Sequence, residues 1–543
     1  MQTAKFGYIF LKLKISTVLN YSSNTITIMK TLSNARFSGK IVGFALSAFI
    51  VSASQSAFAT DYTVNGGTSR TTLTTGTTND DTYIFNSVSG IKYQVNGTST
   101  IKSVSVINGA VDIAIGTLNI DINAASGTVN ALTGSSWSMN YFDLNFKNSV
   151  ADSTALAQIT LTGALNVLSG STGGTQYQNM SFANINAAVG VGGTTTIGND
   201  MSGSTGGNTS KLNINSGATV AWTGAISVGK YGQINATGAF TANSAVSLLT
   251  GANLNVLSGG TFNSNGTLTA NAGSFVTIAS GGTFNVGSSG TLALNATSTT
   301  AINGTFNAST VVTFGGIVNS SGAVNISSGG NLTINRAATL NSGAYWTVYD
   351  KVTLQGASGE GNTAVLTVND GAKLSVTRSS SNGARVIFSG NATVILNAAN
   401  ALVINGSEAM SLVTVMGTTN NKLYINANQS FNNLFVNTST FDMYLDDTST
   451  VTFSLASSAI TFTTEADLLN IYNFREDAIY VGTNQTIKDG IISHTKLYDD
   501  AGELLGSATV IGGYIALVPE PAAWAAIFGA AALGFALMRR RRR

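Results

Sequence analysis

The sequence of 543 residues has no cysteine, only two prolines, one histidine, and charged side chains at just 9% of its positions. Without cysteine the chain can form no disulfide, no thiolate metal site and no cysteine nucleophile. The formal net charge of +2 is nearly balanced, and the basic excess lies in the two termini, so we do not expect a nucleic-acid partner. Proline is absent before position 519, which leaves the backbone N–H groups of the body available for strand pairing.

Acidic residues are missing from the middle of the chain, since residues 201–349 contain no Asp or Glu. Glycosidases need two carboxylates across one site, and polysaccharide lyases need a base with cations or calcium. The acidic pairs at 446–447 and 499–500 are sequence neighbours, which point to opposite faces of a strand and make no ready metal cage. His494 stands alone and is expected to be a surface residue, and no Gly-rich phosphate loop opens a helix. We therefore predict no catalytic residue, no metal and no cofactor.

What is present is a repeat. A Gly-Ala-Phe or Gly-Thr-Phe motif recurs every 22 residues, and an asparagine follows three of the four phenylalanines. The repeated side chains are Phe240, Phe262, Phe284 and Phe306, with Asn263, Asn285 and Asn307. Short alternating strands and glycine turns fill the intervals. A period near 22 is the size of one coil of a parallel β-solenoid, in which stacked coils bring equivalent residues ~4.8 Å apart.

The sequence therefore predicts an all-β fold, a parallel β-solenoid (β-helix), with an internal phenylalanine stack and an asparagine ladder. We expect the repeats to span 91–459, with an N-terminal cap over 60–90. Residues 460–517 regain charged side chains, and 464–474 (TEADLLNIYNF) has the pattern of an amphipathic helical turn. We predict a small α+β capping unit over 460–517, because open solenoid ends invite aggregation.

Residues 1–59 have the features of a targeting region. An apolar run at 41–51 follows basic residues and precedes Ala57-Phe58-Ala59, an A-x-A cleavage site. Export by the Sec machinery with cleavage after Ala59 would make Thr60 the first mature residue. Met29 starts a signal peptide of ordinary length (29–59), so we favour it as the true start over a long basic region that begins at Met1.

The end of the chain combines three elements in order. Val518, Pro519, Glu520 and Pro521 precede the uncharged apolar run 522–538, and five arginines follow, namely Arg539, Arg540, Arg541, Arg542 and Arg543. Seventeen helical residues reach about 25 Å, just short of a ~30 Å bilayer core. We expect one transmembrane helix, with the arginines held on the cytoplasmic side as a membrane stop. The prolines keep the residues before the helix extended and exposed.

This order of parts over 518–543 resembles the PEP-CTERM sorting signal of Gram-negative bacteria. The resemblance implies export, anchoring in the inner membrane as a precursor, and processing by an exosortase-type membrane enzyme, after which the protein reaches the cell surface or the extracellular matrix. It also implies an association with exopolysaccharide, so exopolysaccharide or other cell-surface glycans are candidate partners.

The repeats, such as SGGTFNV at 280–286, resemble the passenger regions of autotransporter-type adhesins. The chain departs from that family because it ends in a single helix, so we expect a different export route. Rows of Thr, Ser and Asn on the outer faces would suit contact with glycans or other surfaces. The favoured function is a non-enzymatic, structural or adhesive surface protein. The alternative is a tail-anchored polysaccharide lyase or hydrolase on a β-helix scaffold.

Overall fold

The computed structural model describes the backbone of the strands between 61 and 191, and then residues 195–198, 210–357, 363–378, 384–405, 411–415, 420–454, 459–518 and 521–540. Side chains are described from 195 onward within these ranges, except at 485–487 and 521–528. The signal-peptide residues Ala57 and Ala59 lie outside the described residues, as do Pro519, Glu520 and 541–543.

The chain is built from short strands joined by tight turns. The first group is β1 (Asp61–Asn65), β2 (Thr71–Leu73), β3 (Thr82–Asn86), β4 (Ile91–Val95), β5 (Thr98–Ile101), β6 (Ser103–Asn108), β7 (Ala110–Ala114), β8 (Thr117–Asp121), β9 (Thr128–Thr133), β10 (Ser136–Asn140), β11 (Asp143–Lys147), β12 (Gln158–Leu161), β13 (Ala164–Leu168), β14 (Phe182–Ile185) and β15 (Val189–Val191).

The central group contains the 22-residue repeats. It comprises β16 (Thr195–Ile197), β17 (Ser210–Ile214), β18 (Thr219–Trp222), β19 (Ile226–Val228), β20 (Gly232–Ala236), β21 (Ala239–Ala242), β22 (Val246–Leu248), β23 (Asn253–Val256), β24 (Thr261–Ser264), β25 (Thr267–Ala270), β26 (Phe275–Ile278), β27 (Thr283–Val286), β28 (Thr291–Leu294), β29 (Thr299–Ile302), β30 (Thr305–Ala308), β31 (Val312–Phe314), β32 (Ile317–Ser320), β33 (Ala323–Ile326), β34 (Leu332–Ile334), β35 (Ala337–Leu340), β36 (Tyr345–Val348), β37 (Lys351–Gln355), β38 (Ala364–Val368) and β39 (Lys373–Thr377).

The last group includes both helices of the described residues. It comprises β40 (Arg385–Ser389), β41 (Ala392–Leu396), β42 (Leu402–Asn405), β43 (Leu412–Thr414), β44 (Asn421–Ile425), β45 (Gln429–Phe431), β46 (Leu434–Val436), β47 (Phe441–Leu445), β48 (Val451–Phe453), β49 (Ile460–Phe462), β50 (Leu469–Tyr472), β51 (Ile479–Tyr480), α1 (Gln485–His494), β52 (Thr495–Tyr498), β53 (Leu504–Ile511), β54 (Tyr514–Leu517) and α2 (Pro521–Arg540).

Three parallel sheets, together with a short parallel row of β45, β48 and β51, wrap one core, which confirms the predicted β-solenoid. Sheet A contains β1, β3, β6 and then every third strand to β42. Sheet B contains β2, β4, β7 and every third strand to β49, and sheet C contains β5, β8 and every third strand to β50, followed by β52. Each strand thus pairs with the strand one coil away. The segment 60–90, which we predicted as a cap, contributes β1, β2 and β3 to these sheets.

Burial alternates along the strands, as a period of two requires. In β24 the side chains of Phe262 and Ser264 are buried, whereas Thr261 and Asn263 face outward and are half-buried. The inward side chains of the described coils are almost all Val, Leu, Ile, Phe or Ala and form one continuous hydrophobic core. Because every coil buries only one face of each strand, the chain needs the stacked neighbours to complete that core.

Glycine at the corners is required by geometry in the repeated Ser-Gly-Gly turns. Gly259 and Gly281 have φ angles of 78° and 77°, a left-handed conformation that disfavours other residues. The following glycine has no room for a side chain: a Cβ at Gly260 would collide with the Ala236 carbonyl oxygen of the previous coil. That oxygen accepts the Leu257 N–H at 2.8 Å, so the close approach is part of the coil-to-coil hydrogen bonding.

The C-terminal end of the solenoid is closed by antiparallel strands. β53 runs antiparallel to β52 and to β54, and β54 pairs antiparallel with β51. The predicted α+β unit at 460–517 thus begins by continuing the solenoid and ends by covering its last coil. The prediction of a helix at 464–474 was wrong. The residues of β50 there continue the inward column of β47, with Leu469 opposite Phe441 and Ile471 opposite Met443, and the helix of this unit is α1.

The helix expected at 522–538 is present as α2, which begins one residue earlier at Pro521. Proline is favoured at a first helical position because its missing N–H has no helical partner there. Among the described residues, no helix has the length and apolar character needed to cross a membrane.

Candidate functional surface

The predicted phenylalanine stack lies in the core of sheet A. Phe240, Phe262, Phe284 and Phe306 occupy one register position on successive strands. Their ring centroids are 5.1, 5.0 and 5.5 Å apart in chain order, and the rings are at most 2% exposed. The column is longer than the repeat indicated. Trp222 packs edge-on against Phe240 at 5.8 Å.

At its other end the aromatic column includes a ring from a strand of sheet B. Phe314, which lies on β31 of sheet B, contacts both Phe306 at 5.9 Å and Trp346 at 5.7 Å. The Trp346 indole N–H donates to the Ser320 hydroxyl at 3.0 Å, so this buried polar group is paired. The sequence contained no signal for Phe314, because it is outside the 22-residue spacing.

The predicted asparagine ladder runs along the outer face of sheet A. The Asn285 amide donates to Asn263 at 2.8 Å, and the Asn307 amide donates to Asn285 at 2.9 Å. The ladder also includes Asn325, which donates to Asn307 at 2.9 Å, and Thr241, which accepts from Asn263 at 3.1 Å. Each of these amides therefore bonds to its equivalent in the adjacent coil, and the ladder positions carry no charge.

Further ladders follow spacings other than 22. Asn369 bonds to Asn341 and Asn397 to Asn369 across 28 residues, and Asn426 bonds to Asn397 across 29. These asparagines occupy one turn that repeats after sheet C. The coils are longer here, so a search at a constant period misses them, although each asparagine follows a strand with alternating apolar residues.

A different surface appears on sheet C near the C-terminal end. Four outward tyrosines lie on consecutive strands and stack face to face, and we call them the tyrosine strip: Tyr424, Tyr444, Tyr472 and Tyr498. Their centroid separations are 4.5, 4.5 and 4.6 Å, and the interplanar angles are 10°, 10° and 19°. All four rings are half-buried. Sequence reasoning missed this strip, because its spacings of 20, 28 and 26 residues have no period.

Polar side chains lie beside the tyrosine strip, two residues earlier on each strand. They are Lys422, Asp442, Asn470 and Lys496, which occupy one register position. The Asn470 amide donates to the Asp442 carboxylate at 2.9 Å, and the Lys422 ammonium lies 6.0 Å from the centre of the Tyr444 ring. These contacts fix the carboxylate and one ammonium relative to the rings.

The environment of the strip changes the acidity of its phenols. Burial between neighbouring rings, followed by the nearby Asp442 carboxylate, raises the pKa of Tyr444 to about 12. The same two causes raise the pKa of Tyr472. Both hydroxyls therefore stay neutral hydrogen-bond donors at physiological pH.

The histidine and the acidic pairs considered above as catalytic or metal-binding candidates make packing contacts and hydrogen bonds within turns. His494 stacks on Phe462 with ring centroids 4.8 Å apart, and its Nδ1 donates to the Asp467 carbonyl oxygen at 2.9 Å. The Asp447 carboxylate accepts from the Asn473 amide at 2.9 Å, and the Asp499 carboxylate accepts from the Glu503 N–H at 2.7 Å. In the residues whose side chains are described, no group of three His, Cys, Asp or Glu could hold a metal ion.

The structure describes part of the predicted sorting signal. The Val518 N–H donates to the Ser507 carbonyl oxygen at 3.0 Å, so hydrogen bonding continues from the cap to the first residue of the motif. Val518 is 37% exposed, and α2 begins three residues later. Near its end, Leu533, Phe535 and Met538 are more than half exposed, and Arg539 and Arg540 form the last helical residues.

Comparisons with known proteins leave the family open. No protein-family model matches the chain, and no curated protein matches it. Among solved structures, the crystal structure of a TibC-catalyzed hyper-glycosylated TibA fragment aligns over 66% of this chain and 97% of its own length. The two share 14% identity with a TM-score of 0.21, so this similarity carries no inference about function. The class that the fold itself defines is the parallel β-solenoids.

Proposed function

We propose that the chain is an exported, non-enzymatic protein of the cell surface or extracellular matrix, with a structural or adhesive role. The observation that carries the proposal is the outer surface of the solenoid. Its Thr and Asn side chains repeat in register at the strand spacing, as in the ladder from Asn263 to Asn325. Such a surface offers many equivalent weak contacts, which favours multivalent attachment to a repetitive partner.

The sorting signal is the second part of the proposal. The tail at 518–543 directs anchoring in the inner membrane and later processing by an exosortase-type enzyme. Two features support it: the exposed apolar side chains of α2 and the arginines that end the helix. Only 518–520 separate the end of β54 from the start of α2, and three extended residues span about 10 Å. An enzyme that acts on this motif therefore works close to the capping strands.

The tail is tested with two variants and a control. Pro519→Ala with Glu520→Ala should leave a membrane-bound, unprocessed precursor, because the motif is lost while α2 remains. Deletion of 539–543 should impair retention before processing, because the membrane stop is lost. Glu503→Ala, an exposed acid outside the tail, should behave as wild type.

Cell fractionation and peptide mapping of both termini measure the outcome. The mature protein should begin at Thr60 and lack α2. If the doubly substituted protein reached the surface with the same C-terminus as wild type, the tail would be a plain anchor. If purified protein shortened extracted polysaccharide, the non-enzymatic proposal would be overturned.

A further inference from the structure

The tyrosine strip is unlike the rest of the described outer surface. The strands that precede it on sheet C place Thr367 and Ile395 at the equivalent outward position. From β44 onward the position is tyrosine on four consecutive strands, and charged or amide side chains accompany it. The buried aromatic column of sheet A, by contrast, uses phenylalanine in its repeated positions. Stacking alone does not require hydroxyls, and at this outward, half-buried position the hydroxyls are available to water or to a partner.

The stacking geometry determines what a ligand can touch. The ring faces are 4.5 to 4.6 Å apart and nearly parallel, so each internal face is covered by its neighbour. The ring edges and hydroxyls remain for a partner. The three separations make a row about 14 Å long, parallel to the direction in which the coils stack. A partner that uses the whole row must be elongated and lie across the strands.

The groups along this row define the chemistry of the partner. They combine phenol hydroxyls, one carboxylate and two ammonium groups, whereas the Asn470 amide is buried and holds that carboxylate. An apolar ligand would bury these groups without hydrogen-bond partners, which is costly. A nucleic acid would meet the Asp442 carboxylate in the middle of the row and only two cations, Lys422 and Lys496. A chain of sugars supplies hydroxyls that both donate to the carboxylate and accept from the phenols and amines.

We propose that the tyrosine strip, together with Lys422, Asp442, Asn470 and Lys496, binds a glycan chain that lies along the solenoid axis. The site is preorganised, because stacking holds the rings and Asn470 holds Asp442, so binding immobilises few additional side chains. On the strip itself the two lysines outnumber the one carboxylate, but the carboxylates of Asp447 and Asp499, in the turns that follow β47 and β52, reverse that balance. The strip therefore prefers neutral polysaccharides to acidic ones, and this preference weakens as salt screens the charges.

This inference rests on the proposed display function, and its experiment separates the two. The full chain in mild detergent is tested for binding to alginate, an acidic polysaccharide, and to a soluble neutral β-glucan, by affinity electrophoresis. Wild type should bind both and retain the neutral glucan more strongly. The pair Tyr444→Phe and Tyr472→Phe keeps the ring stack but removes two hydroxyls, and it should weaken both interactions about tenfold. The unfolding midpoint of this variant should not change.

The matched control removes two phenol hydroxyls outside the strip. The pair Tyr480→Phe and Tyr514→Phe lies in the capping strands, where the two rings pack against each other, and it should leave both affinities unchanged. Charge variants give a second readout that a purely structural role would not move. Asp442→Asn should strengthen alginate binding, because it removes a repulsive charge. Lys496→Gln should weaken alginate binding, with little effect on the neutral glucan.

Each other outcome has a defined meaning. If the control pair in the capping strands reduced binding as much as Tyr444→Phe with Tyr472→Phe, the strip would be refuted while the display function survived. Wild type that bound neither polysaccharide would also refute it. Loss of self-association in the tyrosine pair, with no effect on glycan binding, would identify a second copy as the partner and overturn the glycan assignment. Shortening of either polysaccharide would refute the display function itself.

Discussion

Replacing Phe284 by alanine is the sharpest test of the coil register, because this ring lies in the middle of the aromatic column. It is 1% exposed and packs between Phe262 at 5.0 Å and Phe306 at 5.5 Å. It also lines an interior void of about 10 Å³, so truncation enlarges a space that is already imperfectly filled. Truncation of a buried phenylalanine typically costs about 3–5 kcal/mol. With a urea dependence of about 2–3 kcal/mol per molar, the midpoint should fall by between about 1 and 2.5 M.

The assay combines urea unfolding, followed by circular dichroism, with hydrogen exchange. Exchange should increase in β24, β27 and β30, which contact residue 284 directly, and much less in distant coils, because each coil touches only its neighbours. Thr283→Ala is the matched control on the same strand, since its side chain faces outward. Equal small effects of the two substitutions, or loss of protection in distant coils only, would refute the register and the column.

Two further predictions follow from buried and half-buried polar groups. Thr300 is 3% exposed, lines the same void and has a hydroxyl with no hydrogen-bond partner. Thr300→Val should therefore raise the urea midpoint of unfolding by an amount equivalent to about 1 kcal/mol. A lower midpoint would show that the hydroxyl is hydrogen-bonded in the folded protein. The pKa of Tyr444 is raised from 10.0 to about 12, so the folded protein holds the phenol proton more tightly than the unfolded chain does. The contribution of this proton to the free energy of unfolding is therefore complete below pH 10 and is lost between pH 10 and 12. A difference ultraviolet titration of wild type against Tyr444→Phe should show one phenol that ionises near pH 12, and ionisation near pH 10 would contradict the packing of the strip.

Much of the fold is predictable because the core is repetitive. The repeat of Phe240, Phe262, Phe284 and Phe306 identifies the inward face of sheet A. The asparagine directly after three of these phenylalanines identifies the outward face. Where coils keep one length, a constant sequence spacing is the same as a constant spatial spacing. In the capping region, prediction from the apolar pattern gave a helix at 464–474 where the structure has a strand. An apolar pattern of so few residues fits either a helix or a strand, and Leu469 and Ile471 became a strand because the coil below offers them an edge to pair with.

By itself, the sequence determined the class of fold, the strand alternation, the regular ladders and the candidate targeting segments, since each depends on local pattern or composition. The tertiary structure alone decided which residues meet where coil length varies. Tyr424, Tyr444, Tyr472 and Tyr498 form one stack although unequal stretches of chain separate them. Phe314 joins an aromatic column from another sheet for the same reason. Hydrogen bonding aligns strands by register at each coil and leaves the intervening turns free to differ in length, so contacts across coils do not depend on sequence distance.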